Sequence, residues 1–289
     1  MTINLRWNKS FIFFAAAAVT ATLLLAAGCA SGRSGANSSD QFGGKITAAG
    51  STALGPLVKQ AADEFGAKYP KVSVDVSGGG SFVGLSQVAA GAVDIGASDV
   101  AYTDEYKDKG LVDHIVAIAP FAIIVNPGVT VDGLTTAQLV DIFTGKVTNW
   151  KAVGGPDQAI AIIGRSPASG SRATIRATIL GDKDFDPKGA VLNSSGDVRK
   201  AVGTTPGAIG YVDLAFVDSS VKAIKVDGVA CTAEDVISGR YKIFAREHLY
   251  TKGEPKGAVK AFLDLIESAD FQDRNVAKLG FIPVSRMPK

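Results

Sequence analysis

The sequence predicts an α/β fold with mainly parallel sheet, and three observations lead there. Short runs of β-branched residues alternate with stretches whose apolar residues recur at helical spacing, as in repeated strand–helix units. The joints between these segments are clusters of Gly, Ser and Thr. Composition permits large cores, since 46% of the 289 residues are hydrophobic and 33 are Gly. That length is more than one typical domain, so one large or two medium units are expected. No repeat with a period of roughly 20–50 residues is present.

Taken in order, Ile46–Ala49 is a short strand, followed by Ser51–Pro56. Leu54, Leu57, Val58, Ala61 and Phe65 then mark one face of a helix, with Pro56 in the first turn, where its missing N–H is not needed. Val72, Val74 and Val76 alternate as a strand, and Gly78–Ser81 leads into a helix of about nine residues. Val93–Gly96 forms another strand, ending at Ser98-Asp99. His114–Val125 reads as two buried strands separated near Pro120. Thr135 or Thr136 caps a helix carrying Leu139, Val140 and Phe143. Ile160–Gly164 is a strand, and Arg165–Ser171 joins it to a helix from about Arg172. Val259, Phe262, Leu263 and Ile266 describe an amphipathic helix near the end.

The N-terminal residues read as an export leader. Arg6 and Lys9 precede an apolar run, Phe11–Ala27, which at 17 residues is short for a bilayer span. Leu25-Ala26-Ala27-Gly28-Cys29 resembles a bacterial lipobox, although the place three before the cysteine holds Ala26 and not a large aliphatic residue. The expectation is a signal peptide over 1–28, lipidation of Cys29, and a Gly/Ser-rich flexible tether over 29–44 holding the body near a membrane. Of 30 Lys+Arg and 28 Asp+Glu, the two excess positive charges lie in that leader, so the exported body would be neutral. Neutrality argues against a nucleic-acid partner. Two Cys exclude a disulfide framework, and two His disfavour a His-rich metal site. Cys231, with no His near it in sequence, reads as a small hydrophobe.

Three loops share one pattern of strand, then Gly/Ser/Thr, then helix: Gly50-Ser51-Thr52-Ala53, Gly78-Gly79-Gly80-Ser81 and Ser169-Gly170-Ser171. Each offers backbone N–H groups, hydroxyls and the positive end of a helix dipole, which together suit an anion. Arg165 adds a planar cation fit for bidentate contact with an oxyanion. Taken singly, Ser and Thr at such points are ordinary N-caps, and sequence spacing does not show that the loops meet. Gly78, Gly80 and Gly84 imitate a dinucleotide fingerprint, but the third glycine comes one place late and no second half follows. No nucleophile elbow, phosphate-loop lysine motif or H-E-x-x-H is present, so an enzyme finds no support.

Six segments occur in one order: Gly50–Leu57, Gly78–Ser81, Val93–Asp99, Phe143–Trp150, Arg165–Ser171 and Pro206–Tyr211. The set resembles the phosphate-binding proteins of bacterial phosphate ABC importers and covers nearly all of residues 45–289. The resemblance implies a two-lobed periplasmic-binding-protein-like (type II) fold, each lobe a sheet flanked by helices, hinged on two crossing strands. It implies lobe I at 45–119 plus 250–289 and lobe II at 120–249. It places phosphate against Ser51, Thr52, Ala53, Ser81, Asp99, Arg165, Ser169, Gly170 and Ser171, with no cofactor and no metal. Two departures stand out. Ser171 occupies a position that is often Thr, and Pro167 stands where many members have an acid that orients the arginine.

Asp99 has a physical role in such a site. Phosphate near neutral pH keeps an O–H and can donate to a carboxylate, whereas sulfate cannot. The implied partners are inorganic phosphate, an ABC permease with its ATPase, and the membrane through the lipid; the protein would be an extracytoplasmic monomer. Other oxyanions, a secreted phosphoesterase and a phosphate sensor without a transport role are the competing readings.

Overall fold

The computed structural model describes residues 41–181 and 183–287. The leader, Cys29 and the tether up to residue 40 lie outside the described residues. No described helix is long and apolar enough to cross a membrane. Order begins before the expected end of the tether: the Phe42 ring packs edge-on against Tyr69 at 5.1 Å, and the first strand starts at Gly44. An aromatic ring with a buried partner anchors that stretch.

The strands are β1 (Gly44–Gly50), β2 (Val72–Ser77), β3 (Ile95–Ser98), β4 (Leu111–Val125), β5 (Gly133–Leu134), β6 (Ala161–Arg165), β7 (Ala190–Leu192), β8 (Ala208–Asp213), β9 (Lys222–Val226) and β10 (Phe244–Lys252). The principal helices are α1 (Gly55–Lys68), α2 (Ser81–Ala90), α3 (Thr136–Phe143), α4 (Gly170–Ile175), α5 (Ser195–Thr204), α6 (Ala233–Ile237) and α7 (Gly257–Glu267). The strand order is β2-β1-β3-β10-β4-β8-β6-β7, with β9 beside β4 and β5 beside β9.

The sheet is mixed, not mainly parallel. β1 is parallel to β2 and β3, and β6 is parallel to β7 and β8. Between these two groups β10 and β4 run antiparallel to each other and to their outer neighbours. Buried apolar runs carry no direction, which is why the sequence misses this. His114–Val125 is also one strand and not two. β4 pairs with β10 through Pro120 and with β8 from Phe121 onward. Proline therefore sits where the strand changes partners, so its missing N–H breaks no continuous ladder.

Helix placement follows the expected periodicities. Leu57, Val58, Ala61 and Phe65 of α1 are buried, as are Phe262, Leu263 and Ile266 of α7. The Phe65 and Phe262 rings meet edge-to-face at 5.5 Å, which fastens α1 to α7. Thr135 is the cap of α3, forming a capping box with Gln138. α4 begins at Gly170, two residues before the expected start, because Ser169 caps it by accepting from the Arg172 N–H at 3.2 Å. Cys231 is half-buried against the core, and burial pushes its thiol up to about 12.

Candidate functional site

The carboxyl ends of the two parallel strand groups carry the three loops. β1, β2 and β3 end at Gly50, Ser77 and Ser98; β6, β7 and β8 end at Arg165, Leu192 and Asp213. Helices begin just beyond most of these ends, which is where α/β sheets bind ligands. The structure brings all nine expected residues together. Ser171 Oγ donates to Asp99 Oδ2 at 2.8 Å, and Ser51 Oγ donates to Asp99 Oδ1. The Asp99 N–H donates to Ser81 Oγ at 3.0 Å. A Cβ added at Gly170 would collide with Ser81 Oγ, so the second and third loops are in contact.

Gly80 shows why the second loop needs glycine. Its φ is +99°, and a Cβ there would strike the Ala168 carbonyl. The next residue but one, Phe82, donates its N–H to that same carbonyl at 3.1 Å. Close approach to other parts of the protein explains the glycines that imitate a dinucleotide fingerprint: Gly78 to Thr52, Gly80 to the Ala168 carbonyl, and Gly84 to the Ala49 and Ala97 carbonyls of β1 and β3. Ser81 is the first residue of α2 and caps nothing with its side chain. Its hydroxyl oxygen accepts from the Asp99 N–H, which leaves the O–H to donate to a ligand.

Arg165 is fully buried at the end of β6. Its Nη2 donates to Thr52 Oγ1 at 2.9 Å and to the Asn193 carbonyl at 3.2 Å, and its Nη1 donates to Ser195 Oγ at 3.0 Å. Nε has no hydrogen-bond partner among the described residues. Burial pulls the guanidinium below its ordinary range, with Asp99 the largest opposing influence. The charge therefore rests on neutral oxygens, without a touching carboxylate among the described residues. Such a group is costly to bury without an anion.

Two expected ligand donors are engaged within the protein. The Ala53 N–H donates to Ser51 Oγ at 3.1 Å, as does the Leu54 N–H at 3.2 Å. Thr52 Oγ1 accepts from Arg165 and from the Ser195 N–H at 3.2 Å, which ties the first loop to the start of α5.

Four neighbours of the site escape the sequence reading. Asn193 and Ser195 steer Arg165 in place of the acid that Pro167 displaces. They reach it because β7 lies beside β6 with Leu192 opposite Arg165. Asp213 and Glu247 are completely buried carboxyls close enough to Asp99 to feel its charge. Burial first, and Asp99 next, holds both well above the usual carboxylate range. A stretch such as Asn193-Ser194-Ser195 looks like any helix start, Glu247 sits in the polar run Arg246-Glu247-His248, and only Asp213, an acid ending the apolar strand β8, carried a signal that could have been read.

A cleft closed by loops from two strand groups, with a buried cation and hydroxyls facing inward, defines a solute-binding protein of the α/β class. The chain matches the model of the PBP superfamily domain over residues 33–270. It is 41% identical over 280 residues to the phosphate-binding protein PstS of Bacillus subtilis, covering 93% of each chain. It is 29% identical over 256 residues to PstS of Borreliella burgdorferi, covering 83% of this chain and 90% of that one. Among solved structures, a protein assigned as a phosphate ABC transporter substrate-binding protein from Clostridium perfringens, with bound phosphate, superposes with a TM-score of 0.80 at 34% identity. That match covers 83% of this chain and all (100%) of the other. An ABC-type phosphate transport receptor from Vibrio cholerae gives a TM-score of 0.68 at 28% identity, covering 84% and 100%. The chain belongs to the PBP superfamily and, within it, to the family of PstS phosphate-binding proteins.

Proposed function

We propose that this protein captures inorganic phosphate outside the cytoplasm and delivers it to an ABC permease driven by an ATPase, without chemistry on the ligand. The observation that carries the reading is Arg165, a buried guanidinium whose hydrogen-bond partners among the described residues are all neutral oxygens. An oxyanion entering the cleft supplies the missing charge and accepts from the fork in two places. Ser51, Thr52, Ala53 and Ser81 meet it from the first two loops, and Ser169, Gly170 and Ser171 from the third. Contacts now made inside the protein, such as Arg165 to Thr52, are exchanged for contacts to the ligand. Asp99 accepts the proton that phosphate retains, and so rejects sulfate.

The proposal extends to the lobes. Residues 45–119 with 250–289 would form one and residues 120–249 the other, hinged on β4 and β10, so that closing joins Asp99 to Ser171. It includes export by the leader and a lipid on Cys29 as the membrane attachment. Calorimetric titration of phosphate into ligand-stripped protein, with sulfate in excess throughout, tests the central claim. One-to-one binding that ignores sulfate is expected. Competition by sulfate would remove the role given to Asp99, and a folded sample that binds nothing would remove the ligand.

A further inference from the structure

Glu247 lies on β10 beside His248, which pairs with Ser98 at the end of β3, just before Asp99; its partner on β4 is Ala117, across a bulge between Glu247 and His248, and its carboxyl interacts with that of Asp99. The side chain is fully buried, and neither carboxyl oxygen has a hydrogen-bond partner among the described residues. The titratable groups that face it are Asp99, after β3, and Asp213, at the end of β8. Arg165, on β6, exchanges charge interactions with both of those acids. On β10 itself Arg246 is exposed, and the imidazole Nδ1 of His248 is held by Asp113 at 2.8 Å. Asp213 is committed elsewhere through one oxygen, which accepts from the Ala215 N–H at 2.9 Å.

An ionised Glu247 would have no donor and two acidic neighbours, in a place that water does not reach. The neutral acid is the form this environment favours. A neutral carboxyl carries an O–H that needs an acceptor, and the acceptor it interacts with is Asp99. Asp99 already receives the Ser51 and Ser171 hydroxyls. A carboxylate offers about four acceptor sites, so a third donor leaves one for the ligand.

We propose that Glu247 is a positioning residue for anion selection, a neutral acid that donates its O–H to Asp99 and fixes that carboxylate as an acceptor aimed at a ligand O–H. The proposal rests on the reading of the cleft as a phosphate site. It assigns the selectivity to a pair of carboxyls, one ionised and one not, supplied by neighbouring strands.

The test compares the full protein with Glu247→Gln and Glu247→Leu. Glutamine keeps a neutral donor at the same reach; leucine keeps bulk and loses the donor. An infrared difference spectrum of parent minus E247Q at neutral pH should show one carboxylic-acid carbonyl band, while the contribution of the buried Asp213 acid cancels. Phosphate affinity and its margin over sulfate should fall at least about tenfold in E247L, the scale of a lost hydrogen bond to a charged group, and E247Q should recover most of that loss. A difference spectrum without that band overturns the protonated state, and E247L with parental affinity and selectivity overturns the positioning role. A folded parent that binds no phosphate sinks the reading of the ligand instead, while the infrared result still decides whether Glu247 holds its proton.

Discussion

Arg165 and Asp99 place opposite charges in one cleft without touching each other, and the difference between their surroundings sets what each can do. Arg165 is surrounded by neutral acceptors, so its charge is available to a ligand; Asp99 is surrounded by donors, so it remains an acceptor. Replacing Arg165 by Lys keeps the charge but cannot serve Thr52, Asn193 and Ser195 together, and phosphate affinity should drop at least about tenfold in a calorimetric titration. Wild-type affinity in that variant would mean the planar fork is not used. Asp99→Asn should narrow the gap between phosphate and sulfate by about tenfold or more, because sulfate then meets a donor where it met an acceptor. Competition binding reads this directly, and an unchanged ratio would end the selectivity argument. At this scale the sequence exposed the three Gly/Ser/Thr loops by pattern, and the family resemblance added Asp99 and singled out the site residues expected among them. It hid Asn193, Ser195, Asp213 and Glu247, because what makes them matter is strand register, which lies outside local pattern.

Among the elements, α2 depends on a backbone that only glycine adopts comfortably. Gly80→Ala would impose a side chain at φ +99° and push against the Ala168 carbonyl. We expect it to destabilise the fold by about 1–3 kcal/mol, and to weaken phosphate binding by parting the second and third loops. Urea unfolding with a parallel titration checks both, and a variant as stable as the parent would show that the contact yields freely. β4 shows how a strand can contain proline without ending. Its partner changes from β10 to β8 at the proline, so the sequence rule that proline interrupts a strand is correct locally and wrong in this setting. Helix positions and caps were the most legible elements, since an apolar stripe and a Thr-x-x-Gln box are local signals.

For the molecule as a whole, the buried acids make stability depend on pH in a direction opposite to ordinary surface carboxylates. Glu247 and Asp213 have folded-state values raised well above the usual range, so the folded protein holds protons that the unfolded chain has released. Stability is then fully present below the unfolded values, about 4, and declines as pH rises toward the folded ones, by up to about 1.4 kcal/mol per pH unit for each group. Denaturant midpoints across that interval should fall with rising pH, and Glu247→Gln should flatten the slope. A slope that E247Q leaves as steep would mean that the buried acid is not the cause.

The neutral charge balance of residues 29–289 gives another expectation. With no broad positive field to steer an anion, phosphate association should vary less than about threefold between low and moderate salt in stopped-flow measurements. A steep salt dependence would point to local steering by the cleft.

The sequence by itself determined the α/β class, the positions of five helices though not of α5 or α6, the three anion-suited loops and the resemblance that named their ligand. All of these are written in spacing and residue type within a few turns of chain. Only the tertiary structure decided that the loops meet, that the central strands are antiparallel, that serine and a carbonyl steer the arginine, and that a second, unpaired acid lies behind Asp99. Those features join residues up to about 150 positions apart through strand pairing, and the direction and register of a buried strand leave no periodic mark in the chain.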